Sequence, residues 1–424
     1  MTSARRVWRP LVPRSRLALL ASSVLLLSAC SAAVAGTGGA TSSPAAGTWA
    51  HTLAAARGQS VSLWMWSGDP QGNAYVDDVL APAAAALGVT LKRVPITDTK
   101  DAIDRIAAEK QAGVTDGSVD LVWVNGDNFS TGRQAGLWAC GWTSQLPSMT
   151  YVDPNDPLIT HDFGTPVDGC EAPWHKAQFT FVYDSARVSD PPRSLLGLLA
   201  WAKAHPGRFT YPAPPDFTGS VFVREALYAT AGGYRSVPAS PDGSKATSEA
   251  DALWSALSGL APSLWRQGAT YPKDSMALDQ LFAGGQVDFT MTYGPATLTG
   301  LVDRGTFPRT TRVLPLDEGT VGNANFLAIP STSGHQAAAE VVADLALSPA
   351  QQLAAAQPSV WGQFTVLDQS RLTPGDRAAF TALPASAVVP PYVELSRNAN
   401  PELAATWVPV LDDGWRRHVL AGGA

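Results

Sequence analysis

Ser60-Val-Ser-Leu-Trp-Met-Trp66, followed at once by Ser67-Gly-Asp-Pro70, reads as a β-strand running into the opening turn of a helix that continues to about Leu87. Val89 to Val94 reads as the next strand. Asp98, with Asp101 in the first turn, opens a helix whose Ala102, Ile103, Ile106 and Ala107 share one face, and Val119 to Val124 is a short apolar strand. The order β, α, β, α, β predicts an α/β fold with a parallel sheet covered on both faces. Ligands of such sheets bind beyond the carboxyl ends of the strands, here Trp64 to Asn73 and Asn125 to Phe129.

The same style continues outward. Phe179 to Tyr183, Phe209 to Tyr211, Val287 to Thr292 and Asn325 to Ile329 read as strands. Ser194 to Ala204, Thr218 to Ala229, His335 to Leu347, Ala350 to Gln357 and Pro401 to Leu420 read as helices. There is no internal repeat. With 424 residues, 45% hydrophobic and 16% charged, the chain is long enough for two or three compact units and too apolar to be disordered.

Toward the N-terminus, residues 1–29 carry five arginines and no acid before an apolar run from Leu17 that ends Leu27-Ser-Ala-Cys30. This reads as a secretory signal, too short and too basic in front for a permanent membrane helix. Its ending resembles a bacterial lipobox, which makes Cys30 the lipid-modified first residue of the mature chain. Ser31 to Thr48 has no charge and nothing to bury; as a flexible tether, lipidated Cys included, it is assigned to residues 30–58, and its 18 most neutral residues span on the order of 25 Å. Removing Cys30 from the three cysteines leaves Cys140 and Cys170, which predicts a disulfide contributing about 3 kcal/mol by loop closure. Cleavage leaves 25 basic residues against 36 acidic ones, which excludes nucleic acid as a natural partner.

Trp66-Ser-Gly-Asp-Pro-Gln-Gly-Asn-Ala-Tyr75, Thr97-Asp-Thr99, Ala108-Glu-Lys110, Gly117-Ser-Val-Asp-Leu-Val-Trp-Val-Asn-Gly-Asp-Asn-Phe129 and Gln145-Leu-Pro147 resemble the YnjB-like family of solute-binding lipoproteins of bacterial ABC importers. The likeness continues through Pro173 to Asp184 and Thr210 to Ser220. Asp127 stands where that family more often carries Glu, and Ser67 where it carries a second Gly. The resemblance implies the bilobal fold of type II periplasmic binding proteins, with two crossings between lobes. It divides the chain into a first lobe from 59 to 181, a second from 182 to 322, and a return with the C-terminal helices from 323 to 424. It also implies a small solute as ligand, a separate permease and ATPase as partners, a monomer, membrane attachment through Cys30 alone, and no cofactor, metal or covalent chemistry.

Closure on a solute requires cleft groups from both lobes. From the first lobe these are Trp66, Gly68, Asp69, Asn73, Asn125, Gly126, Asp127 and Asn128; glycines admit close backbone approach and asparagines both donate and accept. Asp69 and Asp127 are equally suited to capping the helices that follow them. Trp64 and Trp66 share one strand face, and Trp123 belongs to the core. From the second lobe, Phe217, Thr218, Gly219 and Ser220 open a helix whose N–H groups face a ligand acceptor or are simply capped. Tyr293, Asn323, Asn325 and Trp361 complete the set, each equally open to a packing role. The 14 tryptophans together with the two aspartates favour a cationic or heteroaromatic solute.

Two other classes compete. A secreted hydrolase of glycosidase type would use paired cleft carboxylates, yet Asp77 with Asp78 and Asp412 with Asp413 are adjacent on helices and point apart. No nucleophile elbow, zinc motif or phosphate loop occurs, and the six histidines lack metal-ligand spacing; His175, beside Trp174, is the one of interest. An adhesion lipoprotein would need a large exposed apolar patch in place of a polar cleft.

Overall fold

The computed structural model describes residues 46–421, so the signal segment, Cys30 and most of the tether lie outside the described residues. The tether ends earlier than residue 58. Ala46–Ala56 is helical, because Trp49, Leu53 and Ala56 recur at helical spacing and pack onto the first core.

Eleven short strands are numbered here in chain order. β1 (Ser60–Trp66), β2 (Thr90–Ile96), β3 (Leu121–Val124), β6 (Glu171–Gln178), β10 (Gly322–Ala328) and β11 (Phe364–Thr365) form a six-stranded sheet in the order β11-β6-β10-β3-β1-β2. β4 (His161–Asp162) and β5 (Thr165–Pro166) are a small hairpin; β7 (Thr180–Asp184), β8 (Phe289–Thr292) and β9 (Thr311–Leu314) make a second sheet in the order β8-β7-β9. β1 pairs in parallel with β2 and β3 as predicted, but β10 runs antiparallel between β3 and β6, so the large sheet is mixed and not parallel throughout. In β1 the alternation is complete: Val61, Leu63 and Met65 are buried on one face, and Ser62, Trp64 and Trp66 are half-buried on the other.

Between β1 and β2 the helix anticipated to about Leu87 forms as Pro70–Tyr75, a π-helical turn Val76–Leu80 and Ala81–Ala86. Sequence reading missed β6, whose Pro173, His175 and Lys176 disguise a strand flanked on both sides. Phe209 to Tyr211, expected as a strand, joins no sheet; the Phe209 carbonyl instead accepts from Trp265 N at 2.8 Å.

Each sheet has its own core. Leu63, Met65, Val76, Trp174, Val342 and Trp361 pack on one face of the large sheet, and Ile103, Ile106, Val122 and Phe129 on the other. Phe181, Leu198, Phe222, Leu253 and Phe289 pack about the small sheet. The chain passes between them at Phe179, between β6 and β7, and at 315–321, between β9 and β10. A third passage follows β11. The C-terminal helix Trp407–Trp415 buries Trp407, Leu411 and Trp415 in the second core, not in the first-lobe return where the sequence reading placed it. All three passages are hydrogen-bonded together: Phe179 N to Val321 O at 2.8 Å, Gln178 Nε2 to Thr320 O at 2.7 Å, Gly322 N to Asn400 O at 3.0 Å and Asn400 N to Thr320 O at 2.8 Å. Cys140 and Cys170 are disulfide-bonded across 30 positions of sequence.

Candidate functional site

At the end of β1, Trp66 folds over Gly68, where a Cβ would lie 2.1 Å from the indole; only glycine fits. Asp69 caps the helix Pro70–Tyr75, accepting through Oδ1 from Gln71 N and Gly72 N, both at 3.1 Å, and through Oδ2 from Trp361 Nε1 at 2.6 Å. Its carboxylate is therefore engaged within the first lobe. Burial pushes its pKa up against these hydrogen bonds. Trp361 is fully buried, stacked on Tyr75 at 5.2 Å, and serves packing and the Asp69 contact. Asn73 donates to Ser67 O at 2.9 Å and closes the turn.

At the end of β3, Asn325 Oδ1 accepts from Trp123 Nε1 and from Asn125 Nδ2, each at 2.9 Å, which ties β10 to the loop. Gly126 has φ +67° and its N–H points at Asp162, 2.9 and 2.8 Å from the two oxygens. Gly126, not Asp127, stands at the N-cap position; Asp127 and Asn128 are the half-buried first residues of the helix Asp127–Gln134. Burial raises the Asp127 pKa, and the Arg224 guanidinium opposes it.

The second lobe meets this loop with the helix Phe217–Thr230. Asp216 caps it, accepting from Gly219 N at 2.9 Å, so the capped reading of that N-terminus applies. Thr218, Gly219 and Ser220 are buried: a Cβ on Gly219 would lie 2.2 Å from Pro212 O, and Ser220 Oγ donates to Asp412. Phe217 is exposed at the helix tip, its ring 5.5 Å from Tyr293 and 6.3 Å from Phe163 of the β4–β5 hairpin. Arg224 lies over the Phe163 ring at 5.2 Å, and its Nε donates to Glu402 at 3.1 Å. Tyr293 OH donates to the same carboxylate at 2.7 Å. Farther along, Arg304 of the second lobe donates to Gln71 Oε1 at 3.2 Å.

The structure thus brings Gly126, Asp127, Phe217 and Tyr293 together where the two lobes meet, around the buried Phe163 ring, while Asp69, Ser220 and Trp361 serve their own lobes. Sequence reasoning missed Phe163, Arg224, Glu402 and Gln71. Phe163 has φ +45°, an unusual backbone for a bulky residue, and only the folded hairpin turns its ring onto Phe217 and Arg224. Arg224 and Glu402 are 178 positions apart, and no local pattern links them.

The sequence pattern of the family described as bacterial extracellular solute-binding protein matches residues 78–386. The chain is also 37% identical over 372 residues to protein YnjB of Escherichia coli (strain K12), covering 87% of this chain and 93% of that one. The chain belongs to the bacterial extracellular solute-binding proteins. Among solved structures, an ABC transporter from Clostridium perfringens superposes with a TM-score of 0.59 at 15% identity, covering 85% of this chain and 99% of the other. A periplasmic thiamin binding protein superposes with 0.58 at 18% identity, covering 85% and 96%. At these identities the likeness establishes the fold, the bilobal one of periplasmic binding proteins.

In this solute-binding protein the junction of the lobes holds several buried carboxylates. Asp412 is pushed up by burial and by repulsion from Asp127, and Asp162 is pushed up to about 8, chiefly by burial. Arg224 is the buried cation facing them, and it is committed to Glu402. The carboxylate pairs considered for hydrolysis have other partners: Asp77 pairs with Arg93 at 2.6 Å and Asp413 with Arg416 at 2.8 Å. Among the described residues no cluster of His, Cys, Asp and Glu could hold a metal ion, and no described helix is long and apolar enough to cross a membrane.

Proposed function

We propose that the gap bounded by Asp127 and Phe163 on one lobe and by Phe217, Tyr293 and Asp412 on the other captures a small cationic heteroaromatic solute, unaltered, and that an ABC permease and its ATPase receive it from the protein. The observation that carries this reading is the opposition of Phe163 and Phe217, 6.3 Å apart, beside carboxylates whose pKa values burial has raised. A flat cation admitted between the two rings as the lobes part gains from their faces and relieves the unfavourable burial of the charges beside it. The other proposed contacts, Trp66, Gly68, Asn73, Asn125, Gly126 and Asn128, belong to the loops on the first-lobe side. Lipidation of Cys30 keeps the receptor at the outer face of the cell membrane.

Thiamin, the solute in one structural relative's name, belongs to this chemical class. The test is native mass spectrometry of gently purified protein, followed by thermal-shift screening with thiamin, polyamines, sugars and inorganic anions. A cation recovered intact, or a melting increase matching about 2.7 kcal/mol at 100 times its dissociation constant, supports the reading. Stabilisation by sugars or anions alone, or chemical turnover of the bound compound, overturns it.

A further inference from the structure

Asn323 is 4% exposed, and neither its Oδ1 nor its Nδ2 has a hydrogen-bond partner. Native proteins seldom leave a buried amide unsatisfied on both sides, and such a group calls for an occupant. Its position is specific. It lies two residues beyond Val321, the crossing residue held by Phe179 N and Glu225, at the point where β10 enters the large sheet. Its side chain shares a strand face with Asn325, whose amide is engaged by Trp123, Asn125 and, at 3.4 Å, His175 Nδ1.

A second orphan stands on that face. The register between β6 and β10 slips between Asn325 and Phe326, leaving Trp174 as the extra residue of a bulge, and bulges of this kind re-aim side chains. His175 is thereby set among Trp361, Trp174 and Trp123, with ring centroids 4.8, 5.2 and 5.3 Å away, and its Nε2 is buried without a partner. Burial drives the His175 pKa down to about 3, so the ring is neutral at physiological pH. This strand face is uncharged, in contrast to Asp127 and Asp412.

We propose that Asn323 binds an uncharged donor–acceptor edge of the solute, of the carboxamide or lactam kind, with the amide of Asn325 and the neutral His175 fixing the geometry behind it. The inference rests on the capture of a ring cation between the lobes and adds a second, neutral point of recognition. It makes the preferred solute a cationic ring bearing an amide-like substituent.

Calorimetric titration with 1-methylnicotinamide and with N-methylpyridinium, which share the charged ring but differ in the carboxamide, tests this. Wild-type protein should bind 1-methylnicotinamide at least tenfold more tightly, and Asn323→Ala should erase the difference between the two compounds. Equal binding of the two compounds by wild-type protein, or a preference that survives in Asn323→Ala, overturns the amide subsite and leaves the cation reading standing. Binding of neither compound at millimolar concentration overturns both. Because the first comparison needs no variant, poor folding of Asn323→Ala would not shelter the proposal; Asn323→Ser then supplies the second comparison.

Discussion

Replacing Arg224 with methionine removes one partner from an ion pair in which the side chains are 2% and 3% exposed. Glu402 would keep the Tyr293 hydrogen bond at 2.7 Å but lose the guanidinium contacts at 3.1 and 3.5 Å. Burial already pushes the Glu402 pKa up, and Arg224 is the largest influence opposing it. Breaking a buried pair from one side costs about 3 to 5 kcal/mol, and loss of the face contact with Phe163 adds about 1 kcal/mol. Arg224→Met should therefore lose about 4 to 6 kcal/mol, read as a lower urea midpoint with an unchanged slope. Removing the orphaned acid as well, in Arg224→Met/Glu402→Leu, should return most of that, since apolar replacement of both partners is often near neutral. The sign with pH follows from the raised Glu402 pKa. Protonation relieves the uncompensated charge, so the deficit of the single variant should shrink between pH 7 and pH 5. A loss below about 1 kcal/mol, or a double variant no more stable than the single one, would refute the account of this pair.

The remaining predictions concern charge and covalent closure. For a bound cation such as thiamin, calorimetry should show affinity falling as pH drops through the raised Asp127 pKa, because binding needs the ionised form; Asp127→Asn should be weaker by about tenfold at neutral pH and flat with pH. Asp162, raised to about 8, takes up a proton on folding, so stability in urea should fall as pH rises from about 4 to 8, by at most about 1.4 kcal/mol per unit, and Asp162→Asn should flatten that fall. Replacing Cys140 and Cys170 by alanine opens a closure of 30 positions and should cost about 3 to 4 kcal/mol by the same denaturation measurement, whereas loss of Cys30 should release the protein into the medium without altering its melting.

What the sequence revealed of this fold was whatever local chemistry dictates. The helix openings at Asp98 and Ser194 were visible because a short polar side chain there has a backbone N–H to satisfy, and both do so, to Lys100 N at 2.9 Å and Gly197 N at 3.0 Å. β1 was visible because a strand with one core face alternates. β6 was not: buried on both faces, it carries no alternation, and Pro173 sits where the ladder slips at the bulge. The C-terminal helix was legible as a helix, but an amphipathic stripe does not name the core it will enter. The site divides the same way. Gly126 and Phe217 announced themselves as a loop glycine and a helix tip, while the Arg224–Glu402 pair and the positive φ of Phe163 exist only after distant segments meet.

How such a receptor can close and reopen follows from the unequal strength of its connections. The three passages form one hydrogen-bonded strap: Gln178, Phe179, Thr320, Val321 and Asn400 bind one another, and Glu225 accepts from Val321 N. That strap ties the three passages into one unit, so rotation of the lobes about it is the expected motion. The described contacts between the lobes include weaker ones, among them the Phe163–Phe217 rings, the Arg224–Phe163 contact, the Ala405 N–Phe163 O hydrogen bond at 3.3 Å and the Arg304–Gln71 hydrogen bond, each worth about 0.5 to 2 kcal/mol. A sum of a few kcal/mol, set against the freedom lost on closing, leaves the open and closed forms close in energy. A solute that touches both lobes then decides the balance through its differential affinity for the closed form, and shifting the population from 1:99 to 99:1 takes about 5.5 kcal/mol. On the proposed function, a ring cation taken up between Phe163 and Phe217, beside Asp127 and Asp412, would have to supply energy of that size, whereas a solute held by one lobe alone cannot move the equilibrium however tightly it binds.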